Sequence, residues 1–203
     1  MRRAPPEDGS VCAGYSTVGE VRGWADTRLL PLFPELFAPQ VELVRPTHLM
    51  PVVVGREAWH VERMKWGFVP RWGVARGAKP MINARAESLF ERPYFREAAR
   101  ERRALVTATA FYEWVAVPGQ KRKKRIAFRR RDGRALLIAA LWEPGPEVAT
   151  YTLVTTEASA PVRAIHDRQP VVLEEAELDA WMHDGDRAVL RPSEDDVLVG
   201  AEG

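Results

Sequence analysis

Apolar and polar positions alternate with period two over much of this chain, and in places the alternation gives way to runs that are apolar throughout. Leu105-Val106-Thr107-Ala108 opens as a strand and continues through Phe111-Tyr112-Glu113-Trp114. Alternation there sets Phe111 and Glu113 on one face and Tyr112 and Trp114 on the other. Residues 135–142 and 151–155 are nearly continuous apolar runs and predict buried strands. Residues 41–54 read as extended and end in Met50-Pro51-Val52-Val53-Val54; a turn at residues 55–57 leads to a second alternating strand over residues 59–66. Helices are expected near residues 17–25, over residues 94–101, after Ser159, and over residues 174–184 with Leu178, Trp181 and Met182 inward. Pro118-Gly119 predicts a hairpin tip. Residues 1–10 are polar and carry two prolines, so the pattern predicts a disordered lead followed by one domain over residues 11–203.

Composition narrows this picture. At 203 residues, with 46% hydrophobic residues and seven tryptophans, the chain can bury a core and does not read as disordered. No apolar run approaches a membrane span or the hydrophobic segment of a signal peptide, so a soluble, cytoplasmic protein is expected. A single cysteine excludes an internal disulfide and a cysteine-rich zinc site, and neither a metal nor a cofactor motif is present. The net charge is only +2, yet nine of the 30 basic residues fall within residues 121–134. Charge runs are usually solvated loops; this one, led by Lys121, Arg122 and Lys123, also suits phosphate binding.

Five places carry candidate chemistry. Cys12 lies among small residues, Val11-Cys12-Ala13-Gly14, which leaves a thiol reachable, although a lone cysteine is more often a small buried hydrophobe. Glu113 stands among Phe111, Tyr112 and Trp114; a carboxylate that loses solvation beside aromatics is suited to passing protons. The bland alternative, favoured by these residues alone, is a strand end whose glutamate faces water. Asn83, in a loop entering a helix, suits an N-cap. His166 in Ile165-His166-Asp167-Arg168-Gln169-Pro170 suits a proton shuttle, against the commoner hydrogen-bonded core histidine. Tryptophans interleaved with Lys65 and Arg71 suit stacking on unpaired bases, and equally suit a tryptophan-rich core corner.

Residues 66–72 (WGFVPRW), 82–88 (INARAES), 111–114 (FYEW) and 166–170 (HDRQP) stand in an order and spacing that resemble the SOS response-associated peptidase (SRAP) family, which includes abasic-site sensors. The resemblance covers roughly residues 11–190. It implies a single α+β domain with a barrel-like, mostly antiparallel β core flanked by short helices and crossed by a DNA groove. It also implies binding of single-stranded DNA carrying abasic sites; a monomer, nucleoid-associated and without a cofactor, is expected. Carried over, Cys12 is the nucleophile, Asn83 orients it and the sugar, Glu113 moves protons, and His166 acts on sugar ring opening and on reversal. Arg85 and Arg168 hold phosphates, and Trp66 lines the base-stacking groove.

In that family the reactive cysteine is N-terminal, because its free amine condenses with the aldehyde and its thiol then closes a thiazolidine. The amide nitrogen of an internal Cys12 cannot form an imine. The expectation is therefore that the working chain begins at Cys12, either because Val11 marks a GTG start or because the leader is cut off. Other departures are Cys12-Ala13-Gly14 for the family's Cys-Gly-Arg, Glu42-Leu43-Val44-Arg45-Pro46 for its Tyr-Asn-(Ile/Val)-Ala-Pro, and an end at Gly203 before its usual closing segment. Competing functions are a non-covalent single-strand binder that has lost the chemistry, a thiol peptidase using Cys12 and His166, and strand cleavage by β-elimination.

Overall fold

The computed structural model describes residues 13–17, 29–33, 36 and 41–202. In chain order the elements are β1 (Tyr15–Ser16), α1 (Leu29–Leu32), β2 (Leu49–Val54), β3 (His60–Trp66), α2 (Arg71–Val74), β4 (Asn83–Arg85), α3 (Arg96–Glu101), β5 (Arg103–Ala108) and β6 (Ala110–Val115). They continue with β7 (Lys124–Arg130), β8 (Leu136–Glu143), β9 (Thr150–Glu157), α4 (Ala160–Arg163), β10 (Arg168–Pro170), β11 (Val172–Leu173) and β12 (Leu198–Glu202). The fold is α+β, mostly strands with a few short helices.

Five strands, β9-β3-β2-β5-β8, close back on one another because β8 also pairs with β9. The result is a ring-like sheet rather than a strict barrel, with β4, β10 and β11 added at its margins. Pairing is antiparallel except where β3 and β4 run parallel to β9. A second sheet has the order β1-β6-β7-β12.

The apolar runs are explained by burial on both faces. Val52, Val54, Ala104, Val106, Leu136 and Ile138 belong to one core with Phe111 and Phe128 of the second sheet. The intervening Val53, Leu105, Leu137 and Ala139 pack on the other side against Phe95, Ala98, Leu178 and Trp181. A strand covered on both faces has no polar side to show, so its sequence loses the alternation.

The helical span at residues 174–184 exists but is irregular: a 3₁₀ turn (Glu175–Glu177) with a capping box at Glu174 passes into a π-type turn (Ala180–Asp184). Leu178, Trp181 and Met182 are fully buried, as expected. The extended stretch is shorter than expected, since a turn through Pro46 and Thr47 precedes Leu49; Thr47 holds φ 79°. The strand β12 was not foreseen from sequence. The lead at residues 1–10 and nearly all of the helix expected at residues 17–25 lie outside the described residues. Among those described, no helix is long and apolar enough to cross a membrane.

Buried charge ties the layers together. Arg103, 3% exposed, faces no carboxylate at hydrogen-bond distance among the described residues; its guanidinium donates to the carbonyls of Ala99, Arg100, Trp181, Met182 and His183, the last at 2.7 Å. It thereby satisfies chain ends of α3 and of the π-type turn that no helical N–H reaches. Gly185 completes the cage: it holds φ +66°, and a Cβ there would lie 2.8 Å from the Arg103 guanidinium. Burial, with Arg56 adding to it, holds the Arg103 guanidinium below its ordinary value. Arg103→Ala strands those carbonyls, and a loss of about 3 kcal/mol or more is expected in urea unfolding.

Asp132 offers a test of the opposite edge. The Arg130 guanidinium, donating to both Asp132 oxygens, holds that carboxyl below its ordinary 3.8, against the effect of burial. A depressed carboxylate contributes stability that is complete above its ordinary value and is lost as pH falls through the folded one. Asp132→Asn should therefore cost stability near neutrality, and the gap from the parent should narrow in acid. Urea midpoints measured from pH 7 downward check this.

Candidate functional site

The C-terminal half of β9 is a gathering point. On one edge β4 runs beside it, with Asn83 opposite Leu153 and Arg85 opposite Thr155. On the other, β10 pairs Arg168 with Glu157. His166 stands just ahead of β10, in the loop that leaves α4, and the chain is closed there by Ala158 N–H donating to Asp167 O at 2.9 Å. Asn83, Arg85, His166 and Arg168, 85 residues apart at the extremes, are thus brought round one strand end.

Asn83 does not cap a helix. It begins a strand, and the following 3₁₀ turn, Ala86–Ser88, has Arg85 at its N-cap with no side-chain cap bond. A three-residue strand held by parallel pairing with a partner some seventy positions away leaves no local signal. Arg85 is exposed and open to a phosphate.

Glu113 lies on β6 in the second sheet and is only 4% exposed, so the water-facing alternative is overturned. Alternation holds: Phe111 enters the main core, while Tyr112 and Trp114 form a separate cluster with Ala127 and Leu43. Cys12 lies outside the described residues. The chain just after it runs antiparallel to β6, with Tyr15 opposite Phe111, Ser16 opposite Ala110 and Tyr112 N–H donating to Gly14 O at 2.9 Å. Carried one step on, this register sets Ala13 opposite Glu113. Gly14 lets the chain pass close to its neighbours: a Cβ there would lie 2.9 Å from the Trp114 ring and 2.7 Å from Leu43, and those side chains would have to shift.

Trp66 corrects an expectation. It is fully buried and has no ring face to offer a base. It packs parallel to Tyr151 at 6.3 Å and tilted against Tyr15 at 5.3 Å, and its indole N–H donates to Ile82 O at 2.9 Å. Tyr15 and Tyr151 share a hydroxyl–hydroxyl bond of 2.7 Å. This stack joins the sheet carrying Glu113 to the residue preceding Asn83, so Trp66 belongs to the floor beneath the site.

The exposed aromatic is Trp72, at 46%. It sits in α2 on an excursion, residues 69–80, closed at its base by two backbone bonds between Phe68 and Met81, both 2.9 Å. Tyr94 meets the ring edge-on at 5.8 Å, and the Arg76 guanidinium lies 5.8 Å from its centroid. The buried carboxylate of Glu143 pins this turn: it accepts from Arg71 N–H at 3.2 Å and from Arg102 Nε and Nη2 at 3.0 and 2.8 Å. The sequence did hold a signal separating the two tryptophans. Met64 and Trp66 share the inward phase of β3, whereas Trp72 follows Pro70, where that phase ends.

The basic hairpin divides. Lys121, Arg122 and Lys123 are exposed at the β6–β7 tip and, among the described residues, make no ion pair. Most of the others are engaged. Lys124 pairs with Glu202 at 2.9 Å, Arg125 with Glu42 at 3.5 Å while covering the Tyr112 ring, and Arg130 with Asp132 and Glu174. Arg168 likewise departs from its expected phosphate role. It is 8% exposed, and Glu87, 81 residues away in sequence, takes its guanidinium in a two-point pair at 2.6 and 2.8 Å. Among the described residues no cluster of three or more metal-ligating side chains occurs.

Comparison with known proteins bears on the family and the fold. Over 129 residues the chain is 33% identical to the abasic site processing protein YoqW of Bacillus subtilis (strain 168), covering 60% of this chain and 56% of that protein. It is 31% identical over 130 residues to the abasic site processing protein YedK of Escherichia coli (strain K12), covering 62% and 56%. The matched part therefore spans little more than half the length of these relatives. A crystal structure of a Bordetella bronchiseptica protein superposes with a TM-score of 0.73 at 22% identity, over 95% of this chain and 99% of that one. One from Bacteroides thetaiotaomicron gives 0.71 at 18%, over 94% and 91%. The family model described as SOS response associated peptidase (SRAP) matches residues 34–198. The chain belongs to the SRAP family.

Proposed function

We propose that this protein recognises abasic sites in single-stranded DNA and links itself to them through Cys12. The support is the convergence of Asn83, Arg85 and His166 at one end of β9, together with the segment after Cys12 laid along the Glu113 strand. The named activity of the matched relatives points the same way.

The chemistry needs a free amine at Cys12. That amine attacks the aldehyde of the ring-opened sugar, and loss of water gives an imine. The thiol then adds to the imine carbon while its proton passes to nitrogen, closing a five-membered thiazolidine. Asn83 orients the cysteine and the sugar. Glu113, buried beside the incoming chain, relays the proton from the amine to the departing hydroxyl. His166, partly exposed, serves ring opening and reversal. Arg85 and the Lys121, Arg122 and Lys123 tip meet phosphates, and Trp72 takes the stacking role first expected of Trp66.

A denaturing gel tests the reading. Single-stranded DNA with one abasic site is mixed with the full chain and, separately, with a chain beginning at Cys12. A heat-stable shifted band is expected from the shorter chain; a band from both would add self-cleavage of the leader. No band from either overturns the covalent reading and leaves a non-covalent single-strand binder, while a shortened strand without a band indicates β-elimination.

Two binding predictions follow from the geometry. Trp72→Ala should weaken single-strand binding by about 1–3 kcal/mol with the unfolding midpoint little changed, whereas Trp66→Ala should chiefly destabilise the fold, by about 3–5 kcal/mol. Replacing Lys121, Arg122 and Lys123 together by alanine should flatten the slope of log affinity against log salt by up to about 2. Fluorescence anisotropy across a salt series reads both effects on binding.

A further inference from the structure

The pair between Glu87 and Arg168 joins the two halves of the site. Glu87 stands two residues past the end of β4, in the 3₁₀ turn that continues it, and so is tied closely to Asn83 and Arg85; Arg168 opens β10, two residues after His166. Arg168 Nη1 and Nη2 donate to Glu87 Oε1 and Oε2 at 2.6 and 2.8 Å, and Nη2 donates again to Thr155 O at 2.8 Å. The Arg168 side chain is 10% exposed, against 47% for Glu87. Its guanidinium is therefore largely spent inside the protein, and little of it faces a passing phosphate. A planar two-point pair fixes direction as well as distance, which a single lysine contact would not.

The backbone of the same residue acts on His166. Arg168 N–H donates to His166 Nδ1 at 3.1 Å. A neutral imidazole whose Nδ1 accepts a bond carries its proton on Nε2. Asp167 Oδ1 also lies 2.8 Å from Nδ1, but it would need Nδ1 as a donor. One nitrogen cannot accept from the amide and donate to the carboxylate at once, so the two contacts are alternatives. Whatever holds the Arg168 amide in place selects between them.

We propose that Glu87 and Arg168 are positioning residues: their pair locks the strand carrying Asn83 to the loop carrying His166 and holds the imidazole as its Nε2–H tautomer. Their effect on crosslinking rests on the abasic-site reading above; their effect on the imidazole does not. Glu87 is well suited to a permanent pair. Burial pushes its carboxyl up, but the bond from Arg168 and the charges of Arg168 and Arg85 outweigh that and hold it below its ordinary value. The Arg168 Nε is buried with no partner among the described residues, a cost that the pair itself must outweigh.

The test uses Glu87→Gln, Arg168→Lys and the double variant. Nitrogen NMR of the full chain at one fixed pH reports the His166 tautomer. Both single variants should move the His166 signals from a single Nε2–H pattern to that of mixed tautomers. Crosslinking is measured with whichever chain, full or beginning at Cys12, reacts on the gel. Its rate at saturating DNA should fall about tenfold, with affinity for a strand bearing a stable tetrahydrofuran analogue within about twofold. The double variant should be no worse than either single one, since each already breaks the same pair. If Glu87→Gln fails to fold, Arg168→Lys carries the same readouts. Tighter DNA binding by Glu87→Gln with unchanged His166 signals would overturn the proposal and make Arg168 a phosphate clamp restrained by Glu87. A tautomer shift in a protein that crosslinks nothing would uphold the positioning role and sink the abasic-site reading instead.

Discussion

The site depends on a buried aromatic junction. Tyr15, Trp66 and Tyr151 come from three strands in two sheets, and their contacts are the hydroxyl bond, the parallel stack and the indole bond to Ile82 O. That junction adds directional bonds to the apolar core that the β6 sheet and the ring already share, and it reaches the β4 edge through Ile82. Burial of three large rings contributes several kcal/mol, but its consequence for function is geometric. Close-packed cores deform little, so side chains carried by the strands on either side keep a fixed spacing.

A chain with 29% charged residues forms this core because its buried charges are answered. Glu143, Arg103, Arg130 and Arg168 are all nine-tenths buried or more, and each is met by two-point pairs or by carbonyls. Such groups are costly to bury, and removing one partner costs more than the pair contributes, which makes them strong constraints on arrangement. Here they stand where position matters to the proposed chemistry. Glu143 fixes the turn that presents Trp72, and Glu87 with Arg168 fixes the loop that presents His166.

Much of the fold was legible in the sequence because it is written in local patterns. The apolar runs at β8 and β9, the alternation of β3 and β6, the short α3 helix and the Pro118-Gly119 tip all follow from residue type and period. What was illegible is long-range. Asn83 looks like a helix cap until a parallel partner seventy positions on makes it a strand residue. Glu113 looks solvated until the sheet closes round it. Arg168 looks like a phosphate ligand until Glu87 arrives from 81 residues away. The assignment of Trp66 to the DNA groove was an error that phase could have avoided, since Met64 and Trp66 point inward together.

In the proposed reaction the nucleophile is the α-amine at Cys12, and the position of a trapped imine reports on it. Borohydride reduction of a mixture with abasic single-stranded DNA, followed by digestion and peptide mass analysis, locates the bond. A reduced adduct is expected on the amine of a peptide beginning at Cys12. An adduct on Lys121, Lys123 or any other lysine would contradict the proposed reaction, because the bond would then owe nothing to the arrangement of Asn83, Glu113 and His166.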